Sequence, residues 1–200
     1  ADLSKHDPAR AFAMLSGDVA AAVKPLGDTS PVAIECHLRR AELLAGALGR
    51  PDQALEVLGA SVLPQQVAVY GKKSAQVFDS VLLCARGMFL CGENASAVQL
   101  LETEGASLAK AVFGDAPSLA SAQCALLRAM ALDASGKAGA AVVAVTTEVI
   151  PTVTAQRAAL APGKVVPPRL AAVEQGLESI AQGNGGVSDG LRDIVKGALA

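Results

Sequence analysis

The sequence predicts an all-α fold built from stacked antiparallel helical hairpins, on three observations. Hydrophobic residues make up 52% of the 200 and aromatic residues 2%. The core must therefore be made from Ala, Val and Leu, which suits closely packed helices rather than strands, where aromatic and β-branched side chains dominate. Apolar residues recur at three- and four-residue intervals along nearly the whole chain, the helical period. Glycine and alanine recur together every 43 to 44 residues, the mark of a repeated supersecondary unit. A chain of this length suits one domain or a run of small repeats.

The elements follow in order. Residues 8–26 give two short segments around Gly17. A helix is predicted from Pro31 to Leu48, with Ser30 as its cap, Pro31 in its first turn and Gly49 as its stop. A second starts at Pro51 and runs to about Val62. Residues 63–71 contain Pro64 and read as a connector. Further helices are predicted over 73–91, 94–112, 117–134 and 138–150. The run 140–153 is β-branched enough for a strand, but a lone strand would have no partner, so it reads as helix. Four prolines in 151–168 predict an irregular linker, with room for one helical turn around Gln156. A helix over 169–182, a break at Gly183-Asn184-Gly185-Gly186 and a last helix from a Ser188 cap to about Leu199 complete the chain.

Charge and cysteines exclude several classes of function. A formal net charge of −2 and a pI near 5.7 exclude a strongly basic nucleic-acid binder. Arg39-Arg40 and Lys72-Lys73 are the only basic doublets, and no aromatic platform accompanies them. Cys36, Cys84, Cys91 and Cys124 sit in apolar helical patterns without a C-x-x-C pair, and read as reduced thiols of a cytoplasmic, intracellular protein. No apolar run reaches the roughly 18 residues of a membrane span, since Arg128, Asp133 and Glu148 interrupt the longest candidates. Asp18 breaks the N-terminal apolar stretch, so no signal peptide is predicted. The chain opens at Ala1 without Met, which fits processing or origin in a longer protein.

The repeat is read from glycines that separate paired helices, Gly49, Gly92 and Gly136. Five residues after each comes Ala54, Ala97 and Ala141; six after, Leu55, Val98 and Val142; nine after, Leu58, Leu101 and Val145. Ala85 and Ala129 lie seven before Gly92 and Gly136, a column that Glu42 breaks. A fainter copy begins at Gly17. Gly27-Asp28-Thr29-Ser30-Pro31 and Gly114-Asp115-Ala116-Pro117 both open a first helix, and Gly71 marks the middle copy. Glycine supplies the left-handed turn. The alanine lets two helix axes approach to about 8 Å, and the next aliphatic residue plugs into the neighbouring hairpin.

Over roughly residues 9–150 this pattern resembles the tetratricopeptide repeat, most closely the variant of about 42 residues found in kinesin light chains. The usual first-helix aromatic is absent. The small residue usual late in the second helix is Ser61, then Glu104, then Glu148, so the repeats are degenerate. The resemblance implies a right-handed α-solenoid over 1–150, followed by the linker 151–168 and capping helices over 169–200. It also implies a protein-interaction scaffold that binds a protein or peptide on the face formed by first helices. The candidate contact residues are Glu35, Arg39, Glu42, Gln76, Asp79, Arg86, Gln123 and Arg128. The first helices contain no Asn, so the Lys/Asn carboxylate clamp of some family members is not supported. The alternative is a structural module of a larger multisubunit assembly, favoured by the high mean hydropathy and the lack of a polar N-terminal cap.

No enzyme, cofactor or metal function is predicted. Cys36 and His37 are adjacent on a helix and point about 100° apart, so they do not form a nucleophile pair. The only other histidine is His6, too few for a catalytic zinc site. The Gly-Lys turns at 71, 136 and 163 lack the flanking glycine, hydroxyl and strand of a phosphate loop.

Overall fold

The computed structural model describes residues 7–161, 164–184 and 186–199; His6 lies outside them. Among the described residues the regular structure is entirely helical, 79% of the chain, with no strand. The run 140–150 is helix. Contacts divide the chain into two compact units between Glu93 and Asn94.

In the first unit, α1 (Pro8–Ser16) and α2 (Asp18–Val23) pack on α3 (Pro31–Ala45). Next, α3 pairs with the long helix α4 (51–70), and α5 (Ala75–Leu90) packs on α4 and α3. Asp7 caps α1 by accepting from Arg10 N–H, and Ser74 caps α5 by accepting from Val77 N–H. Ser30 occupies the N-cap of α3 without a side-chain bond; Pro31 sets the first turn. The core gathers Ile34, Leu44, Leu58, Val62 and Phe78. Gly87 of α5 is needed for close approach, since a Cβ there would lie 2.9 Å from Leu55 Cδ2.

In the second unit, α6 (94–113) packs on α7 (Leu119–Ala134), which pairs with α8 (Ala138–Ala158). Next, α9 (Pro168–Ala181) covers α7 and α8, and α10 (Asp189–Leu199) covers α8 and α9. The core runs through Leu126, Val145, Val149, Leu170, Val173, Leu177, Ile180 and Leu191. Ser118 and Ser121 form a reciprocal capping box, so α7 starts at Leu119 and not at Pro117.

The glycine columns are structural. Gly49, Gly92 and Gly136 all have positive φ, at +61°, +81° and +78°. After Gly92 and Gly136 the next N–H reaches back five residues, Glu93 to Met88 O and Lys137 to Leu132 O, the closing bond of a Schellman turn. Asn184 N–H to Ser179 O repeats it after Gly183 (φ +77°), so α9 ends in the same turn. The first hairpin carries one residue more. Helix α3 ends at Ala45 rather than Leu48, and Arg50 N–H reaches back six residues to Leu44 O. That extra residue explains the break at Glu42: Ala41, Ala85 and Ala129 are the equivalent positions, each 0% exposed and each eleven residues after Ser30, Ser74 and Ser118.

The second helices depart from expectation in one respect. Each is continuous but contains a five-residue π turn, at Leu58–Val62, Leu101–Gly105 and Val145–Val149. These turns lie 43 and 44 residues apart. The buried positions explain them. They fall every four residues: Ala54, Leu58, Val62 and Gln66; Ala97, Leu101, Gly105 and Ala109; Ala141, Val145, Val149 and Val153. A four-residue spacing drifts about 40° per step round an α-helix. One wide turn absorbs a residue and keeps the column on one face.

The same turns correct two readings. Pro64 does not end a helix at 62, and Pro151 does not open an irregular linker; each sits two residues past a π turn, and the helices run on to Tyr70 and Ala158. Proline removes an N–H and crowds the carbonyl four residues back; the widened turn relieves both. Because α8 continues through Pro151, its 21 residues are long and apolar enough to cross a membrane by length and composition. This corrects the expectation that no run reaches that length, although Val145, Val149 and Val153 belong to the protein core.

Candidate functional site

A groove of about 450 Å³ lies in the second unit. Its walls are the second helices α6 and α8, and its floor is the first helix α7. Ala106, Ala109, Ala125 and Ala155 keep it open because their side chains are short. Arg128 on the floor is four-fifths buried and donates to Glu148 of α8 at 2.5 Å. Lys110 pairs with Asp115 across the Gly114 turn at 2.8 Å, both exposed, and the aspartate raises the lysine pKa. Thr147, Thr152 and Gln156 add polar groups along α8. Charges are thus balanced along the groove, between apolar stretches.

Cys124 lies on the floor. Its thiol donates to Leu101 O at 3.7 Å, and burial pushes its pKa up to about 11, with Arg128 opposing and Glu148 adding to the rise. A thiol held protonated is a packing group and not a nucleophile. Cys84 is likewise pushed up to about 11 by burial. Cys36 donates to Leu15 O at 3.5 Å and is raised by burial despite Arg40. Its neighbour His37 is half-buried with Nδ1 unpartnered; burial and Arg40 lower its pKa against the pull of Asp28. The two side chains are not joined. Among the described residues no group of three or more His, Cys, Asp or Glu could hold a metal ion.

The eight sequence-derived contact residues fall into separate sets. On α3, Arg39 bridges Glu35 and Glu42 at 2.8 and 2.7 Å, and Glu42 leads the causes that raise the arginine pKa. Exposed pairs of this kind are worth about 0–1 kcal/mol. On α5, Gln76, Asp79 and Arg86 are exposed. On α7, Gln123 accepts from Arg169 Nη1 of α9 at 3.0 Å and does not line the groove, while Arg128 lies within it. Only Arg128 of the eight lines the groove. Sequence reasoning missed Lys110, Thr147, Glu148 and Gln156. The available signal was the departure at Glu148, where an acidic residue replaces the expected small one and meets Arg128.

Comparison of the chain with protein-family models, curated proteins and solved structures returns no match.

Proposed function

We propose that the chain is a helical-repeat scaffold of tetratricopeptide type that binds a protein or peptide segment. The observation that carries this reading is the alanine-lined groove between α6 and α8, a channel with balanced polar groups and no activated nucleophile. The recurrence of one hairpin turn at Gly92, Gly136 and Gly183 supports a repeat architecture. The contact surface is assigned to the groove, which holds Arg128 of the eight first-helix candidates, because the other seven do not line it.

Selection of a random displayed-peptide library on the folded chain tests the reading. Enriched peptides should lose binding with Arg128→Glu and with Thr147→Arg, and keep it with Arg39→Glu. Failure to enrich any sequence, or binding indifferent to both groove variants, overturns it. The second reading, a module buried in a larger assembly, is favoured by Leu26, Val32 and Val143, each more than half exposed, and by α1, which buries no residue completely. A solution mass that rises with concentration supports that second reading.

A further inference from the structure

We infer that α10 is a detachable strap, closed over α8 and α9 by a single buried carboxylate, that of Asp133. This does not depend on what the repeats bind. Asp133 lies on α7 and is 8% exposed. Both its oxygens are engaged by one residue: Ser188 N–H donates to Oδ2 at 2.7 Å and the Ser188 hydroxyl donates to Oδ1 at 2.5 Å. The same serine caps α10. Its hydroxyl oxygen accepts from Leu191 N–H at 3.5 Å and its carbonyl accepts from Arg192 N–H at 3.0 Å. One residue therefore both starts the helix and fastens it.

The rest of the element suits release as a unit. It has eleven residues, too few to stay helical in water unless docked. Leu191 and Val195 are its only buried residues. Its outer face carries Asp189, Asp193 and Lys196, with Arg192 paired to Asp189. The segment before it holds two positive-φ glycines, Gly183 at +77° and Gly186 at +70°, rather than the single one of the turns at Gly92 and Gly136. Opening would bare an apolar face on α8 and α9 while the hairpin α7–α8 beneath stays intact. Cooperative local opening of this kind is what amide exchange resolves.

Hydrogen exchange of the full chain, read by mass spectrometry, tests the strap. Amides of 189–199 should exchange together, ahead of those in 126–132 of α7. Asp133→Asn should speed the α10 amides by roughly 10- to 100-fold and leave the α7 amides unchanged. Simultaneous exchange of α10 and α7 in the parent chain overturns the inference, as does an equal acceleration of both in the variant or no acceleration at all. Should Asp133→Asn fail to fold, Ser188→Ala decides by the same comparison. It removes the hydroxyl bond to Asp133 and, with it, the cap on Leu191 N–H, and should accelerate α10 alone by roughly 10- to 100-fold.

Discussion

Deleting Glu104, an exposed residue inside the π turn of α6, should leave the second unit folded. In the intact chain the buried column Ala97, Leu101, Gly105 and Ala109 is spaced four, four and four. On a straight α-helix its last member would drift about 120° from its first. Without Glu104 the spacing becomes four, three and four, which an ordinary α-helix holds within about 60°. The helix loses only its wide turn, and the cost should stay within about 1 kcal/mol. Deletion of Gln175, exposed on the regular helix α9, is the contrast. It rotates everything after it by about 100° and swings Leu177 and Ile180, 2% and 0% exposed, out of the core. Losing two such side chains costs about 4–8 kcal/mol, comparable to the whole stability of a domain. Urea unfolding followed by circular dichroism measures both. Equal losses would mean that the π turns are not one-residue insertions absorbed by a four-residue column.

Gly105→Ala should destabilise by about 0–2 kcal/mol. The gain in helix propensity of about 1 kcal/mol is set against a Cβ placed 2.9 Å from Cys124 Sγ, and adding Cys124→Ala should restore the gain. An aromatic disulfide reagent should modify exposed Cys91 in the native protein and reach Cys36, Cys84 and Cys124 only on unfolding; fast reaction at a second thiol refutes the buried assignments. His37 binds its proton less readily folded than unfolded, so its contribution to stability, present above its usual value of 6.5, should fade as pH drops below that. Replacement by Gln should flatten that part of the urea-midpoint profile. Pro151→Ala should leave stability within about 1 kcal/mol, because the equivalent turn in α6 forms without proline; a large loss would make proline its cause.

The hairpin period was legible because it rests on residues that act alone. Gly92 and Gly136 supply a backbone conformation other residues rarely adopt, and Ala97 and Ala141 tolerate no larger side chain where helices cross. The Glu42 mismatch misled only because the column was counted from Gly49, beyond a turn with an extra residue; counted from Ser30 it falls on Ala41. Helix ends were less legible. Pro64, Pro117 and Pro151 each read as local breaks or starts, whereas the Ser118 cap and the π turns override them. The groove was almost illegible. Its walls come from helices far apart in sequence, and its alanines cannot be told from those of the core.

The π turns join these successes and failures. A column of small and branched residues every four positions brings each second helix close to its neighbours along its whole length, and that spacing can be held only by an underwound turn. Threonines in two of these turns donate to carbonyls four residues back. Thr103 donates to Gln99 O, Thr146 to Val142 O and Thr147 to Val143 O. Glu148 falls within such a turn, where its side chain leaves the column and meets Arg128. The departure from the repeat pattern at Glu148 thus has a physical place. The extra residue that keeps the buried column in register also turns an acidic side chain into the groove.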